Sequence, residues 1–203
     1  IEATKRALDQ GFTHYTPPQG IFELQEAICE EIAKSRGFRP NPDQVLIGPG
    51  GKPIILYAIL ATIEEGDEVI VQEPAYPMYA SIVNYVGGKA VPVRLKEEND
   101  FRMTAEDVEE KVTGKTKMIV INSPNNPTGS VLAEEDVSGI AEIAEENDLW
   151  LLSDEIYNRI IYDARHFSPA TRDAAAERTI LVDGFSKAYA MTGYRLGYGV
   201  GPK

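Results

Sequence analysis

The chain has 203 residues, 43% hydrophobic and 26% charged, which suits one sizeable soluble domain with its own core. A formal net charge of −12 argues against nucleic acid or an anionic membrane as a principal partner. No run approaches the ~20 consecutive apolar residues of a membrane-spanning helix, and no signal peptide is visible; the chain opens at Ile1 without a methionine, so residues upstream are expected.

The first periodic stretch, "GIFELQEAICEEIAKSRG", reads as a helix ended by glycine. Its Cys29 is the only cysteine and falls on the apolar side with Leu24, Ile28 and Ile32, so it is expected in the core. A lone cysteine forms no internal disulfide, which suits a reducing compartment. "QVLIG" predicts a short strand, and "KPIILYAILATIEEG" a buried helix opened by Pro53. "DEVIVQEP" predicts a strand, "AYPMYASIVNYVGG" a helix and "KAVPVRL" a strand. "TAEDVEEKV" is a helix capped by Thr104, with Asp107 three positions on. "KMIVINSP" is a strand, "AEEDVSGIAEIAEEND" a helix, and "LWLLSDEIY", "RTILVDGF" and "RLGYGVG" are strands. Short, nearly all-apolar strands separated by helices predict a mainly parallel sheet covered on both faces. His14 and His166 have no metal-ligand spacing around them, so no metal site is read.

In such a sheet ligands sit at the carboxyl ends of the strands, so the residues just past each strand carry the chemistry. After "VLIG", Gly50, Gly51 and Lys52 open a helix whose N–H groups and dipole suit a phosphate. After "EVIVQEP", Tyr76 can lie against a planar ligand. After "MIVIN", Asn126 in a sharp turn can donate to a ligand oxygen. After "WLLS", Asp154 is an acid carried into a poorly solvated place, with Tyr157 one turn on. After "TILVDG", Lys187 offers a nucleophilic amine and Arg195 a fork for phosphate. Each of these residues alone has an ordinary structural role. Together they describe one ligand with a planar ring, a protonatable ring nitrogen, a ring oxygen, an aldehyde and a phosphate, which is pyridoxal 5′-phosphate.

In their order and spacing, "YTPPQGIFELQEAI", "GPGGK", "EPAYPMY", "NSPNNPTG", "SDEIY" and "FSKAYAMTGYRLGY" resemble the class I/II aminotransferases, the aspartate-aminotransferase-like branch of the fold-type I pyridoxal-phosphate enzymes, across nearly the whole chain. The resemblance implies a three-layer α/β/α large domain over residues 1–203, incomplete at both ends, with the N-terminal arm and the C-terminal small domain outside it. It implies transfer of an amino group between an amino acid and a 2-oxo acid through a Schiff base at Lys187. Asp154 matches the partner of the ring nitrogen, and Tyr157 and Asn126 match the pair on the ring oxygen. Tyr76 matches the stacking aromatic. Arg195, Gly51 and Lys52 match phosphate ligands. Many relatives carry a phosphate-binding serine three residues before the lysine; here that position is Gly184, and Ser186 is the serine nearby. Tyr15 matches a tyrosine that reaches the neighbouring subunit's phosphate, which implies a homodimer. A cytoplasmic location is expected from the lone cysteine, and the resemblance implies cis bonds at Glu73–Pro74 and Asn126–Pro127. Another reaction on the same cofactor, β-elimination or racemisation, and a non-catalytic sensor domain of a transcription regulator stay open.

Overall fold

The computed structural model describes residues 1–203, apart from the side chain of Asp173. Seven strands form one sheet: β1 (Val45–Gly48), β2 (Glu68–Glu73), β3 (Lys89–Arg94), β4 (Thr116–Asn122), β5 (Trp150–Asp154), β6 (Thr179–Gly184) and β7 (Gly197–Val200). Their spatial order is β1-β7-β6-β5-β4-β2-β3. Both pairings of β7 are antiparallel, and all the others are parallel. The mainly parallel sheet expected from the sequence is therefore present, strand for strand.

Helices cover both faces because the strands are apolar on both. On β4 and β5, Ile119, Ile121 and Leu151 point to one side, into a cluster with Val137, Ile140 and Ala144 of α6 (Glu134–Glu146). Met118, Val120 and Leu152 point to the other, onto Ile55 and Ile59 of α3 (Gly51–Thr62) and Ile82 and Val83 of α4 (Met78–Tyr85). This is the two-residue alternation of a pleated strand. A third cluster joins α2 (Phe22–Arg36) to β1 and β7 through Ile28, Cys29, Ile32, Val45 and Val200. Cys29 is fully buried there, as its place in the helical pattern predicts. α2 ends at Gly37, whose φ of +84° is cheap only for glycine.

Thr104 caps the short helix α5 (Ala105–Glu109), accepting from the Asp107 N–H at 3.2 Å. Two further helices, Glu2–Asp9 at the start of the chain and Asp173–Ala176, are absent from the sequence reading. The first buries no residue. The strand predicted over "LWLLSDEIY" stops at Asp154, and a turn follows. Cis bonds occur at Glu73–Pro74 and Asn126–Pro127, as expected, and also at Ser123–Pro124.

Candidate active site

β2, β4, β5 and β6 lie side by side and end at the same edge of the sheet, so the segments leaving them converge. They enclose a cavity of about 280 Å³, whose lining includes Gly51, Lys52, Tyr76, Asn126, Asp154, Tyr157, Ser186, Lys187 and Arg195. Small-molecule sites are usually clefts of roughly 300–1,000 Å³, so this one suits a compact ligand. A wider hollow of about 650 Å³ adjoins it and shares Asn126 and Tyr157. The smaller cavity holds Asp154 and Lys187 together.

Asp154 forms its floor. It ends β5, is 5% exposed, and accepts hydrogen bonds from Tyr79 Oη at 2.7 Å and from the Ile156 N–H at 3.2 Å. Burial pushes its carboxyl up to about 6; the Tyr79 hydrogen bond works in the other direction, and the nearby Asp183 and Glu155 charges add to the rise. Neither hydrogen-bond donor is a cation. A ligand that brought a positively charged N–H to this floor would relieve the cost of the buried anion.

The mouth has the opposite charge. Lys52, Lys187 and Arg195 are exposed along it, three cations on a chain of formal net charge −12. Lys187 follows the end of β6, with Nζ 5.6 Å from the centroid of the Tyr157 ring. Arg195 is held in place by its own backbone and side chain. Its φ is +54°, an uncommon region for a residue other than glycine, and its guanidinium donates to Thr192 O at 2.9 Å and Pro49 O at 3.3 Å.

Pro49 leads into Gly50, the residue that caps α3 with a φ of +96°. A Cβ on Gly50 would stand 2.7 Å from Arg195 Nη2, and one on Gly197 would stand 2.4 Å from the Gly50 carbonyl carbon. Glycine at both positions lets the arginine and β7 close on the start of α3. Gly50 thus shapes the cradle from behind, while Gly51 and Lys52 face the cavity. Gly184 is a packing position of the same kind: a Cβ there would lie 2.8 Å from Gly197 Cα. Ser186, two residues on, lines the cavity.

Asn126 is aimed by a residue that sequence reasoning missed. Asn122, at the end of β4, accepts the Asn126 N–H at 2.8 Å and donates through Nδ2 to Asp154 O at 3.0 Å. One amide thus ties the Asn126 turn to the strand end that carries the acid. Tyr79 was missed as well, because on α4 it reads as a core aromatic; it also meets the Tyr76 ring edge-on at 5.8 Å between centroids. Tyr15 lies outside the cavity and is fully exposed.

The donor set fits pyridoxal phosphate. The floor carboxylate lacks a cation, the flanking Tyr157 and Asn126 offer polar groups, and the helix start with Arg195 offers an anion cradle.

The family model described as aminotransferase class I and II matches residues 1–203. An aspartate aminotransferase of Pyrococcus abyssi is 45% identical over 203 residues, covering 99% of this chain and 52% of the relative. Aromatic-amino-acid aminotransferase 2 of Thermococcus litoralis is 44% identical over 204 residues, covering 100% and 52% respectively. Among solved structures, the aspartate aminotransferase from Thermus thermophilus with maleate superposes with a TM-score of 0.95 at 43% identity, covering 99% of this chain and 52% of that one. The chain therefore spans about half the length of the relatives it matches.

Proposed function

The chain belongs to the class I and II aminotransferase family, and from that premise we propose that its 203 residues are the cofactor-binding large domain of a pyridoxal-phosphate-dependent amino-acid:2-oxo-acid aminotransferase. The observation that carries the reading is the polarity of one cavity: a buried carboxylate without a cation at its floor, and Lys52, Lys187 and Arg195 at its mouth. That is the charge pattern a pyridinium at one end and a phosphate at the other would complete. Among the alternatives opened by the sequence, no observation favours elimination, racemisation or a sensor role.

When bound, pyridoxal phosphate supplies an electron-accepting ring that acidifies the α-hydrogen of an amino acid. The protein's own groups do the rest. Asp154 would hold a proton at the ring nitrogen. Tyr157 and Asn126 would hydrogen-bond the ring oxygen, and Tyr76 would pack on the ring face. The N–H groups opening α3 at Gly51 and Lys52, the Ser186 hydroxyl and the Arg195 fork would bind the phosphate. Lys187 is the amine that would hold the cofactor through Nζ, and the same Nζ would serve as the base and acid for the substrate's α-proton.

The full-length protein is proposed as a cytoplasmic homodimer in which Tyr15, free on the surface of one chain, contacts the partner's phosphate. The reduced, buried Cys29 suits that compartment. No described helix is long and apolar enough to cross a membrane.

The test is borohydride reduction of the full-length protein with pyridoxal phosphate, followed by peptide mapping. The expected label is on Lys187, and a label on Lys52 or Lys203 would refute the assignment. A donor panel including aspartate and aromatic amino acids, for which relatives are named, with 2-oxoglutarate as acceptor, tests the reaction.

A further inference from the structure

Behind the floor of the cavity lies a second, fully buried charge cluster. Arg36, the last residue of α2, donates from Nε to Glu155 Oε2 at 2.5 Å and from Nη2 to Asp183 Oδ2 at 2.5 Å. The three side chains are only 2%, 1% and 6% exposed, so solvent does not share the contact. Every remaining carboxylate oxygen has a donor. Glu155 also accepts from Ser153 Oγ, Ser168 Oγ and the His166 ring, and Asp183 from Asn158 Nδ2, Tyr198 Oη and the Gly184 N–H.

The position of the two carboxylates gives the cluster its meaning. Glu155 is the residue after Asp154, yet Asp154 lines the cavity while the Glu155 side chain meets Arg36 outside it. Asp183 is the second-last residue of β6, immediately before the Gly184–Ser186 segment that presents Lys187. β5 and β6 are parallel neighbours whose pairing ends at Asp154↔Val182. Beyond that pair the Glu155 N–H bond to Val182 O is the backbone link, and Asn158, which donates to both Glu155 O and Asp183 Oδ2, is a neutral side-chain link. The Arg36 guanidinium is the charged link across that gap, the one that joins the two carboxylates directly.

We propose that Arg36 is a positioning residue for the reaction: by bridging Glu155 and Asp183 it clamps the ends of β5 and β6 and fixes Asp154 relative to Lys187. The clamp rests on the functional reading above only for its consequence in turnover. A rigid planar fork with two parallel claims suits this task better than an ammonium, which is a single point charge on a flexible stem. Misplacing either group would cost turnover, because the amine and the acid must address opposite parts of one bound ring.

The test uses the full-length protein, with and without pyridoxal phosphate, carrying Arg36→Lys, Arg36→Met, or Arg36→Met together with Glu155→Gln. Arg36→Met is expected to lower kcat about 10–100-fold, as loss of an outer partner commonly does, and to lower the melting temperature. Arg36→Lys keeps the charge without the fork, so kcat should fall further from wild type than stability does. Adding Glu155→Gln to Arg36→Met removes a stranded carboxylate. It is expected to recover melting temperature without recovering kcat, since the guanidinium bridge between the ends of β5 and β6 is still missing. Recovery of both together would overturn the proposal and leave Arg36 a residue of stability alone, as would wild-type kcat in Arg36→Lys. If Arg36→Met does not fold, the other two variants decide. If the wild type binds no pyridoxal phosphate, the functional reading falls. The clamp is then decided in the cofactor-free protein by the Asp154 carboxyl resonance: displacement in Arg36→Lys supports it, and an unmoved resonance overturns it.

Discussion

Tyr79 donates a 2.7 Å hydrogen bond to Asp154 inside the core, so the acid that ends β5 at the floor of the cavity is held by a neutral group on helix α4. The hydrogen bond opposes the rise that burial imposes on Asp154. Tyr79→Phe keeps the ring and its packing and removes the donor. It should destabilise the protein by about 1–3 kcal/mol, the usual penalty for stranding a buried acceptor, and raise the Asp154 midpoint above about 6. Denaturant melts and carboxyl NMR of the cofactor-free full-length protein check both. An unchanged midpoint would show that the hydrogen bond does not tune the acid.

The two adjacent carboxylates pull stability in opposite directions with pH. Burial raises Asp154 from an ordinary 3.8 to about 6, so its folded form binds a proton more readily than the unfolded chain. Its contribution is complete at low pH and is lost as pH rises through 6. Burial alone would also raise Glu155, but Arg36 and then His166 overcome it and lower it from 4.5 to about 2. That contribution is present above 4.5 and is lost as pH falls toward 2. Asp154→Asn removes the first effect alone. Relative to this variant, the cofactor-free wild type should lose on the order of 3 kcal/mol between pH 4 and 7. Urea melts at several pH values measure the difference, and a flat difference would contradict the assignment.

Asp154→Asn should also abolish most turnover while leaving the cofactor bound. A neutral amide accepts or donates a hydrogen bond but cannot hold a proton at the ring nitrogen. Single-turnover assays in the full-length enzyme should show at least a hundredfold loss, within the range of ~10²–10⁴ attributed to general acid–base groups. Near wild-type rates would remove Asp154 from this role.

Arg195→Ala separates phosphate from ring recognition. A hydrogen bond to a charged group is worth ~1.5–3 kcal/mol, so affinity for pyridoxal phosphate should fall about 10–100-fold. Affinity for pyridoxal, which lacks the phosphate, should hardly move. Equal losses for both ligands would mean that Arg195 supports the fold around Pro49 and Thr192 and not the anion.

Gly197→Ala places a methyl group against backbone, 2.4 Å from the Gly50 carbonyl carbon and 2.6 Å from Gly51 N. Neither can step aside as a side chain tip would. Overpacking of this kind costs roughly 1–3 kcal/mol. The displaced residues open α3, so cofactor affinity should fall with stability. A variant that loses stability and binds pyridoxal phosphate normally would show that the cradle tolerates the shift.

The strands were legible because most are short apolar runs, several of them closed by glycine, proline or asparagine, and the site residues because they follow those runs. Asp154 stood out as an acid ending such a run, and Lys187 and Arg195 as cations following another. What stayed hidden depends on long-range pairing. Arg36 meets partners 119 and 147 positions away, and in the sequence it is only a basic residue near a helix end. Glu155 looks like a duplicate of Asp154 until the fold turns it away from the cavity. Tyr79 has the spacing of a core residue and is one; its hydroxyl acts only because Asp154 comes to it. Tyr15 was singled out by resemblance alone, and a single chain leaves it in solvent.

The place of β7 between β1 and β6 also sets an order of events in synthesis. β1 is made early, yet the only strand it pairs with is β7, made near the end of this chain. Until Gly197 emerges, β1 has no sheet to join, and the turn at Gly50 and Gly51 lacks the backbone it rests on. Closing so long a loop is slow because its entropy must be met before the contacts reward it. A nascent chain released before β7 would carry Asp154 and most of the sheet but no finished anion cradle. Cofactor capture by ribosome-bound chains of increasing length should therefore begin abruptly, once this last strand has cleared the exit tunnel.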